Sequence, residues 1–412
     1  MKFGSRRAFM GGTAIAVVCL LGVAAHAGRL AGAGSAAHEA TPPGLPAEAS
    51  AEAGQAGPAQ NPPERVTMTE DVFKTVTLLR GIPVDTFFEA MGMFASALGN
   101  DCTFCHVSAA YFDKAKFAEP TPMIMRARQM IVMMNTINKQ YFGGQPRVTC
   151  FTCHSSNQTP KSDPNFALQY GAFMADPNVR DIPPDPRFSA DQVFDKYLRA
   201  LGGAERLAKF TSFVAKGTYS GFDTSLGKIP VEIFGKAPAQ QTMIVQMFNG
   251  NSVRTFDGRN GWMAGPDTPL PVVTLTGGNL DRARLEATLA FPAGIRQAFS
   301  QWRVGITAIG DRDVQVVQGI VDGQPLANFY FDESGLLVRL VRWTVTPVGF
   351  VPTQIDYADY REVAGVKVPF HRTVTQTYMQ MTVELTDVQP NVPIDAARFA
   401  RPAPAPAPRP AA

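Results

Sequence analysis

The sequence predicts an α+β chain of two domains, a small all-α domain followed by a curved antiparallel sheet with a few helices. Three observations carry this. From Val66 to about Gly171 the pattern is helical and rich in methionine, and the proline cluster Asp181-Ile182-Pro183-Pro184-Asp185-Pro186 then marks a boundary. Beyond it, short alternating segments bounded by turn residues run to about Ala400. A length of 412 residues is also more than one ordinary core accommodates.

Three helices are predicted in the first domain. Thr67 followed by Glu70 is a capping-box signal for a helix through Arg80, with Val72, Val76 and Leu79 on one face. Pro83 opens a second helix and Gly99 stops it, with an apolar stripe of Phe87, Met91, Phe94, Ala95 and Leu98. Thr121-Pro122 opens a third, ended by Gly143-Gly144, with Met123, Arg126, Met130, Met133 and Ile137 on one side. In the second domain, Ser189 with Gln192 caps a short helix carrying Val193, Tyr197 and Leu201. Strand-like runs follow at Phe213–Tyr219, Val231–Phe234, Thr242–Phe248, Leu336–Val345 and Thr373–Leu385, with hairpin signals at Asp257-Gly258, Asn260-Gly261, Asp322-Gly323 and Ser334-Gly335. The stretch Leu280–Trp302 reads as partly helical.

The two ends differ from these domains. Lys2, Arg6 and Arg7 precede an apolar run from Thr13 to Ala25, and Ala25-His26-Ala27 has a small-x-small cleavage pattern, so residues 1–27 read as an export signal. Ser5-Arg6-Arg7-Ala8-Phe9-Met10 also has twin-arginine character, which leaves the route open. Residues 28–64 are Ala, Gly, Pro and Glu with almost no large apolar side chains, a tether that cannot build a core. The tail, 401–412, is a Pro/Ala repeat, leaving domains at 65–186 and 187–400. A net charge of +3 without a basic patch gives no support to nucleic-acid binding.

The cysteines carry the chemistry. Of five, Cys19 falls in the apolar run of the signal, and the other four occur as Cys102-Thr103-Phe104-Cys105-His106 and Cys150-Phe151-Thr152-Cys153-His154. Both are C-x-x-C-H, the attachment signature of c-type haem. Two cysteines three apart lie on one side of a helical turn, so both sulfurs can bond the haem vinyl carbons, and the next residue offers an imidazole to the iron. Disulfides within each pair would leave both histidines unexplained, and a thioredoxin-like site rarely appears twice in one small helical module. A zinc ribbon places its halves about 15–20 residues apart, far closer than here. The expectation is two covalently attached haem c groups on Cys102, Cys105, Cys150 and Cys153, with His106 and His154 as proximal iron ligands.

Each iron needs a sixth ligand. The spare histidines after the signal are His38 in the tether and His371 in the β domain, neither well placed, while seven methionines lie between residues 91 and 134. Met91 sits on the apolar face about two turns before the second helix ends, and a haem folded back against that helix would bring its iron near it. Met93 points roughly 200° away around the same helix. The second unit repeats the order of helix, glycine stop and C-x-x-C-H, with Met130 or Met133 in position, and spacing does not choose between them. Arg126 and Arg128 face either haem propionates or solvent.

Ala127-Arg128-Gln129-Met130-Ile131-Val132-Met133, Ile137-Asn138 and Val148-Thr149-Cys150-Phe151-Thr152-Cys153-His154 carry a family resemblance. Residues about 66–156 resemble one two-haem half of the tetrahaem cytochrome subunit of bacterial photosynthetic reaction centres, and more closely the short dihaem relatives of that subunit. In that family each haem lies along a helix that donates a methionine ahead of its C-x-x-C-H. The resemblance therefore implies Met91 for the first site and Met130 for the second. The family's distal histidine between the third helix and the second motif is missing here, as is the second haem pair. The second domain resembles the half-barrel of outer-membrane lipoprotein-sorting proteins through Phe329-Tyr330-Phe331-Asp332 and Asp359-Tyr360-Arg361-Glu362-Val363.

The fold expected is thus a small all-α dihaem cytochrome c domain followed by a curved antiparallel β half-barrel with a few helices. The function expected is electron transfer in the periplasm or at the outer face of the cytoplasmic membrane, with redox proteins as partners. His/Met ligation leaves no open iron position, which suits electron transfer better than peroxide chemistry. A dihaem peroxidase would need one displaceable ligand. A lipid- or lipoprotein-binding protein with an accessory redox module would instead use the concave face of the half-barrel for a hydrophobic ligand, and membrane association fits either role.

Overall fold

The computed structural model describes residues 65–404, apart from Phe112, residues 172–175, Asp267 and Pro269. The signal, the tether with Cys19 and His38, and the tail from residue 405 lie outside the described residues. Helices α1 (Thr69–Val72), α2 (Val84–Leu98), α3 (Pro122–Tyr141), α4 (Cys150–His154) and α5 (Phe166–Tyr170) precede the sheet. Helices α6 (Ala190–Ala200) and α7 (Ala204–Lys209) lead into strands β1 (Ser212–Gly221), β2 (Ile229–Lys236), β3 (Gln240–Met247), β4 (Gly250–Phe256), β5 (Gly261–Ala264) and β6 (Val273–Thr274). Helix α8 (Gly277–Ala290) and a 3-10 turn then connect to β7 (Gln301–Ile309), β8 (Arg312–Val321), β9 (Gln324–Phe331), β10 (Leu337–Thr346), β11 (Gly349–Val363), β12 (Val366–Thr375) and β13 (Gln380–Pro390).

Helices and one large antiparallel sheet make this an α+β fold. Two meanders, β1 to β6 and β7 to β13, meet where β1 pairs with β13, giving among the described residues one open sheet of thirteen strands with β6 and β7 at its edges. The hairpin signals act as their chemistry requires. Asp322 and Gly323 both take positive φ, 49° and 74°, in the two-residue turn between β8 and β9. Asp257 to Asn260 form one turn, closed by the Asp257 N–H donating to the Asn260 carbonyl. The run Thr373–Leu385 is two strands rather than one: residues 376–379 reverse the chain between β12 and β13.

The first helix is a second correction. It covers Thr69–Val72 and ends long before Arg80. Thr75, Val76 and Thr77 form a β-branched run that resists helix, and Glu70 is diverted from capping, accepting instead from the Gly81 N–H at 2.9 Å. Lys74 meanwhile donates to the Glu70 and Asp71 carbonyls. The second helix starts one residue after Pro83, which is its N-cap, and ends on Gly99 in the left-handed region.

A large core lies between the sheet and helices α6, α7 and α8, centred on Phe194, Tyr197, Phe213, Ile295, Phe329 and Phe331. The proline cluster is strapped to the sheet. Ile182 packs with Val316, Tyr330 and Trp343, while Tyr330, Asn328 and Gln318 donate to the carbonyls of Pro177, Val179 and Arg180. A separate small core gathers Leu79, Ala90, Met93 and Met134 from the helical segment with Val348 and Val351 from the β10–β11 hairpin. The helical segment therefore completes its core with residues of the sheet.

A cap reinforces that junction. Asp85 in the first turn of α2 accepts from the Thr276 N–H at 2.7 Å, the Thr276 hydroxyl at 2.6 Å and the Asn279 amide, so a carboxylate from α2 sits at the N-terminus of α8. Asp85→Ala leaves those buried donors unpaired, and a loss of about 1–2 kcal/mol is expected from the shift of the urea unfolding midpoint. A variant as stable as the parent would show that the cap does not hold the two parts together.

Candidate haem-binding site

Each C-x-x-C-H begins on a capped turn. Asp101 caps the 3-10 turn Cys102–Phe104, accepting from the Thr103 N–H at 2.8 Å and its hydroxyl at 2.6 Å. Those bonds hold the Asp101 carboxyl below the usual carboxylate range. Thr149 caps α4 in a reciprocal pair with Thr152, at 3.3 and 3.0 Å. The chain leaves α4 through Ser155 and Ser156, both at positive φ. The capped turns present the four cysteines as free thiols: Cys105 and Cys150 half-buried, Cys102 and Cys153 exposed. Burial pushes the Cys102 and Cys105 thiols up and that of Cys150 to about 11.

Both histidines are oriented in the same way. His106 Nδ1 is 3.0 Å from the Phe117 carbonyl, and His154 Nδ1 is 3.0 Å from the Asn157 carbonyl. A carbonyl only accepts, so Nδ1 carries the proton in each ring and the lone pair of Nε2 is left to bind a metal. Burial lowers the His106 pKa, against the opposing pull of the Phe117 carbonyl, and favours the neutral, ligating form, and the edge of Phe117 packs on this ring at 5.1 Å. Among the described residues no three His, Cys, Asp or Glu side chains converge as a metal cluster, so the two cysteine pairs do not gather into one zinc site. The cysteine pairs and the Nε2-presenting histidines fit haem c.

The two motifs lie side by side. Helix α4 packs on α2, the Ser156 hydroxyl donates to the Ser96 carbonyl at 3.1 Å, and Gln158 donates to Asn100. Gly99 is needed here because a Cβ would stand 2.5 Å from the Ser156 carbonyl oxygen. On the other side, Asn138 of α3 clamps the approach to the second motif, donating to and accepting from the Val148 backbone at 2.7 and 2.9 Å. The Thr121 hydroxyl donates to the Cys105 carbonyl at 2.5 Å and ties the start of α3 to the first motif.

Helix α2 separates its methionines. Met93 is 5% exposed in the small core, facing Val348 and Val351. Met91 is half-buried on the opposite stripe of the helix with Phe87, Phe94 and Leu98, and together with Phe87 and Phe94 it packs against the edge of the same small core. On α3, Met134 is buried in that same core, Met130 is half-buried, and Met133 is exposed. Arg128 donates to the Thr75 carbonyl at 2.7 Å, and Arg126 is exposed. His371 lies on β12, its Nδ1 3.9 Å from Glu384, far along the chain from either motif.

Sequence reasoning missed the acidic face of α2. Glu89 is 5% exposed and is acted on by the charges of Arg254 on β4, Arg282 on α8 and Arg342 on β10. Burial raises its pKa, against the pull of those three arginines. The available signal was two acidic residues, Asp85 and Glu89, one turn apart in an otherwise apolar helix.

Residues 27–165 match the family model described as the photosynthetic reaction centre cytochrome C subunit. A photosynthetic reaction center cytochrome c subunit of Roseobacter denitrificans is 27% identical over 96 residues, covering 20% of this chain and 26% of that protein. The chain thus spans about a quarter of that relative's length. Among solved structures, a LolA superfamily protein from Nitrosomonas europaea aligns with a TM-score of 0.34 and 12% identity, over 52% of this chain and 98% of its own. A DUF1329 family protein from Desulfovibrio piger aligns with a TM-score of 0.35 and 9% identity, over 51% and 96%.

Proposed function

We propose that this chain is an exported dihaem c-type cytochrome that carries electrons between redox proteins outside the cytoplasm. The observation that carries the reading is the repeated unit itself: a capped turn, two free thiols and an imidazole whose Nδ1 is tied to a backbone carbonyl. The match of residues 27–165 to a cytochrome family supports it. Haem c, when bound, supplies a one-electron centre at its iron. The chain supplies the rest. Cys102, Cys105, Cys150 and Cys153 provide the covalent attachment, His106 and His154 the proximal nitrogens, and Met91 and Met130 the distal thioethers, with Met133 as the alternative on α3.

The test is mass spectrometry of the protein expressed with a c-type maturation system and recovered from the periplasm. Two added haem masses, cleavage near Ala27 and a low-spin spectrum without peroxide turnover are expected. A colourless product of peptide mass alone overturns the reading.

A second reading draws on a cavity of about 90 Å³ against the sheet, lined by Tyr197, Phe210, Phe213, Leu289, Tyr357 and Phe370. Its walls are mainly apolar, with Glu286 and Arg372 also lining it, and suit a ligand that is largely hydrophobic. Its volume holds only several water-sized groups, so such a ligand would have to open it. Organic extraction of the purified protein distinguishes this role: a stoichiometric lipid supports it, and none argues against it.

A further inference from the structure

We propose that the β10–β11 hairpin of the sheet domain is part of the second haem site. Its tip wedges against the turn bearing Cys150 and Cys153 and sets where that turn stands between α2 and α3. This rests on the dihaem reading above and adds Val348 and Gly349 to the site as positioning residues.

The tip is stiff. Strands β10 and β11 pair in register from Arg339 with Asp356 to Thr346 with Gly349, leaving only Pro347 and Val348 in the turn. The buried Thr346 hydroxyl donates to the Gly349 carbonyl at 2.8 Å and accepts from the Val348 N–H at 3.3 Å. The next residue is also pinned, with the Arg180 guanidinium 3.5 Å over the ring of Phe350. A support carried on paired strands holds its neighbour more closely than a free loop would.

The tip bears on the second motif. Val348 and Val351, each 1% exposed, share the small core with Met93 of α2 and Met134 of α3, and Val148 and Cys150 pack against that core. Gly349, at φ 128°, comes closest: a Cβ there would stand 2.7 Å from Thr149 Cγ2. Thr149 caps α4, so the tip presses on the residue that holds the start of the C-x-x-C-H turn. Asn138 grips Val148 from α3, and Ser156 reaches Ser96 of α2. The second motif is thus held from three directions, one of them supplied by the sheet domain. The first motif takes its support within the helical segment, from the Asp101 cap, the Thr121 hydroxyl on the Cys105 carbonyl and the Phe117 carbonyl on His106. A haem bonded to one element and ligated from another feels the spacing between them, which is set by what stands behind each.

The test is electron paramagnetic resonance of the oxidised, haem-loaded full chain. Gly349→Ala should displace half of the low-spin intensity and leave the other half in place, because the new methyl overpacks one motif only. Adding Thr149→Ser removes the overlapping Cγ2 and keeps the capping hydroxyl, and should return the displaced half to its parent position. Alanine is strained at that φ in both variants, so stability alone does not account for a recovered signal. An unmoved spectrum, equal displacement of both halves, or no recovery in the double variant each overturn the proposal. If Gly349→Ala yields no folded protein, Val348→Ala decides in its place: displacement of one half supports the wedge, and an unchanged spectrum overturns it. Absence of haem masses is instead a failure of the function reading.

Discussion

Glu286→Ala is expected to destabilise the protein by about 3–5 kcal/mol, as the loss of one partner from a buried ion pair does. Glu286 lies 2.7 Å from Arg282 Nε on the next turn of α8, with the two side chains 12% and 5% exposed. Without it, Arg282 remains buried among Arg254 and Arg342, with the charge of Glu89 still acting on it. The double replacement Arg282→Met with Glu286→Leu should recover most of the loss, because an apolar pair of similar volume removes both desolvation costs. The pH dependence has a definite sign. Burial works against the charge of Glu286, yet Arg282, Arg372 and Arg254 hold its carboxyl below the ordinary glutamate value. Its stabilisation is therefore complete above the unfolded pKa, about 4.3, and is lost as pH falls through the lower folded value. Urea titrations from pH 7 downward should show a large difference between parent and Glu286→Ala at pH 7 that narrows once the pH falls below the unfolded value. A single variant within 1 kcal/mol of the parent at pH 7, the scale of an exposed pair, would show that the cluster is hydrated rather than buried.

Much of this molecule is legible in its sequence because its signals are local. The C-x-x-C-H pairs, the Ser189/Gln192 cap, the Asp322-Gly323 turn and the Thr121 cap of α3 each involve residues within a few positions of one another, and the structure forms them as short-range chemistry dictates. The contacts that join the helical segment to the sheet are not local. Asp85 meets Thr276, Glu89 meets Arg254 and Met93 meets Val348, across separations that periodicity does not encode. The stripe of α2 shows the cost. Phe87, Met91, Phe94 and Leu98 are its most apolar face, yet the better buried side carries Glu89, Ala90, Met93 and Ala97. Small and even charged residues were selected there because a sheet with its own arginines packs against them. The first helix fails for the converse reason. A capping signal at Thr67 and Glu70 has no favourable run behind it, and Glu70 serves Gly81 instead.

That division of α2 into two faces gives the sharpest test of the haem assignment, because it offers two methionines two residues apart with opposite roles. Met93→Ala removes a side chain 5% exposed, whose terminal methyl lies 3.5 Å from where a Cβ on Gly349 would stand. A loss of about 2–5 kcal/mol is expected, with the absorption spectrum of the folded protein unchanged. Met91→Ala deletes a half-buried side chain, so its stability cost should be smaller. Its expected effect lies at the iron: loss of the thioether donor at the first site, a spectrum no longer fully low-spin, and a fall of one reduction wave of two. The comparison is internally controlled, since both changes shorten the same residue type on the same helix and differ in the direction and burial of the side chain. Spectral loss in Met93→Ala with none in Met91→Ala would reverse the faces of α2, and would require the first haem to lie between that helix and the sheet, where Val348 and Val351 now pack.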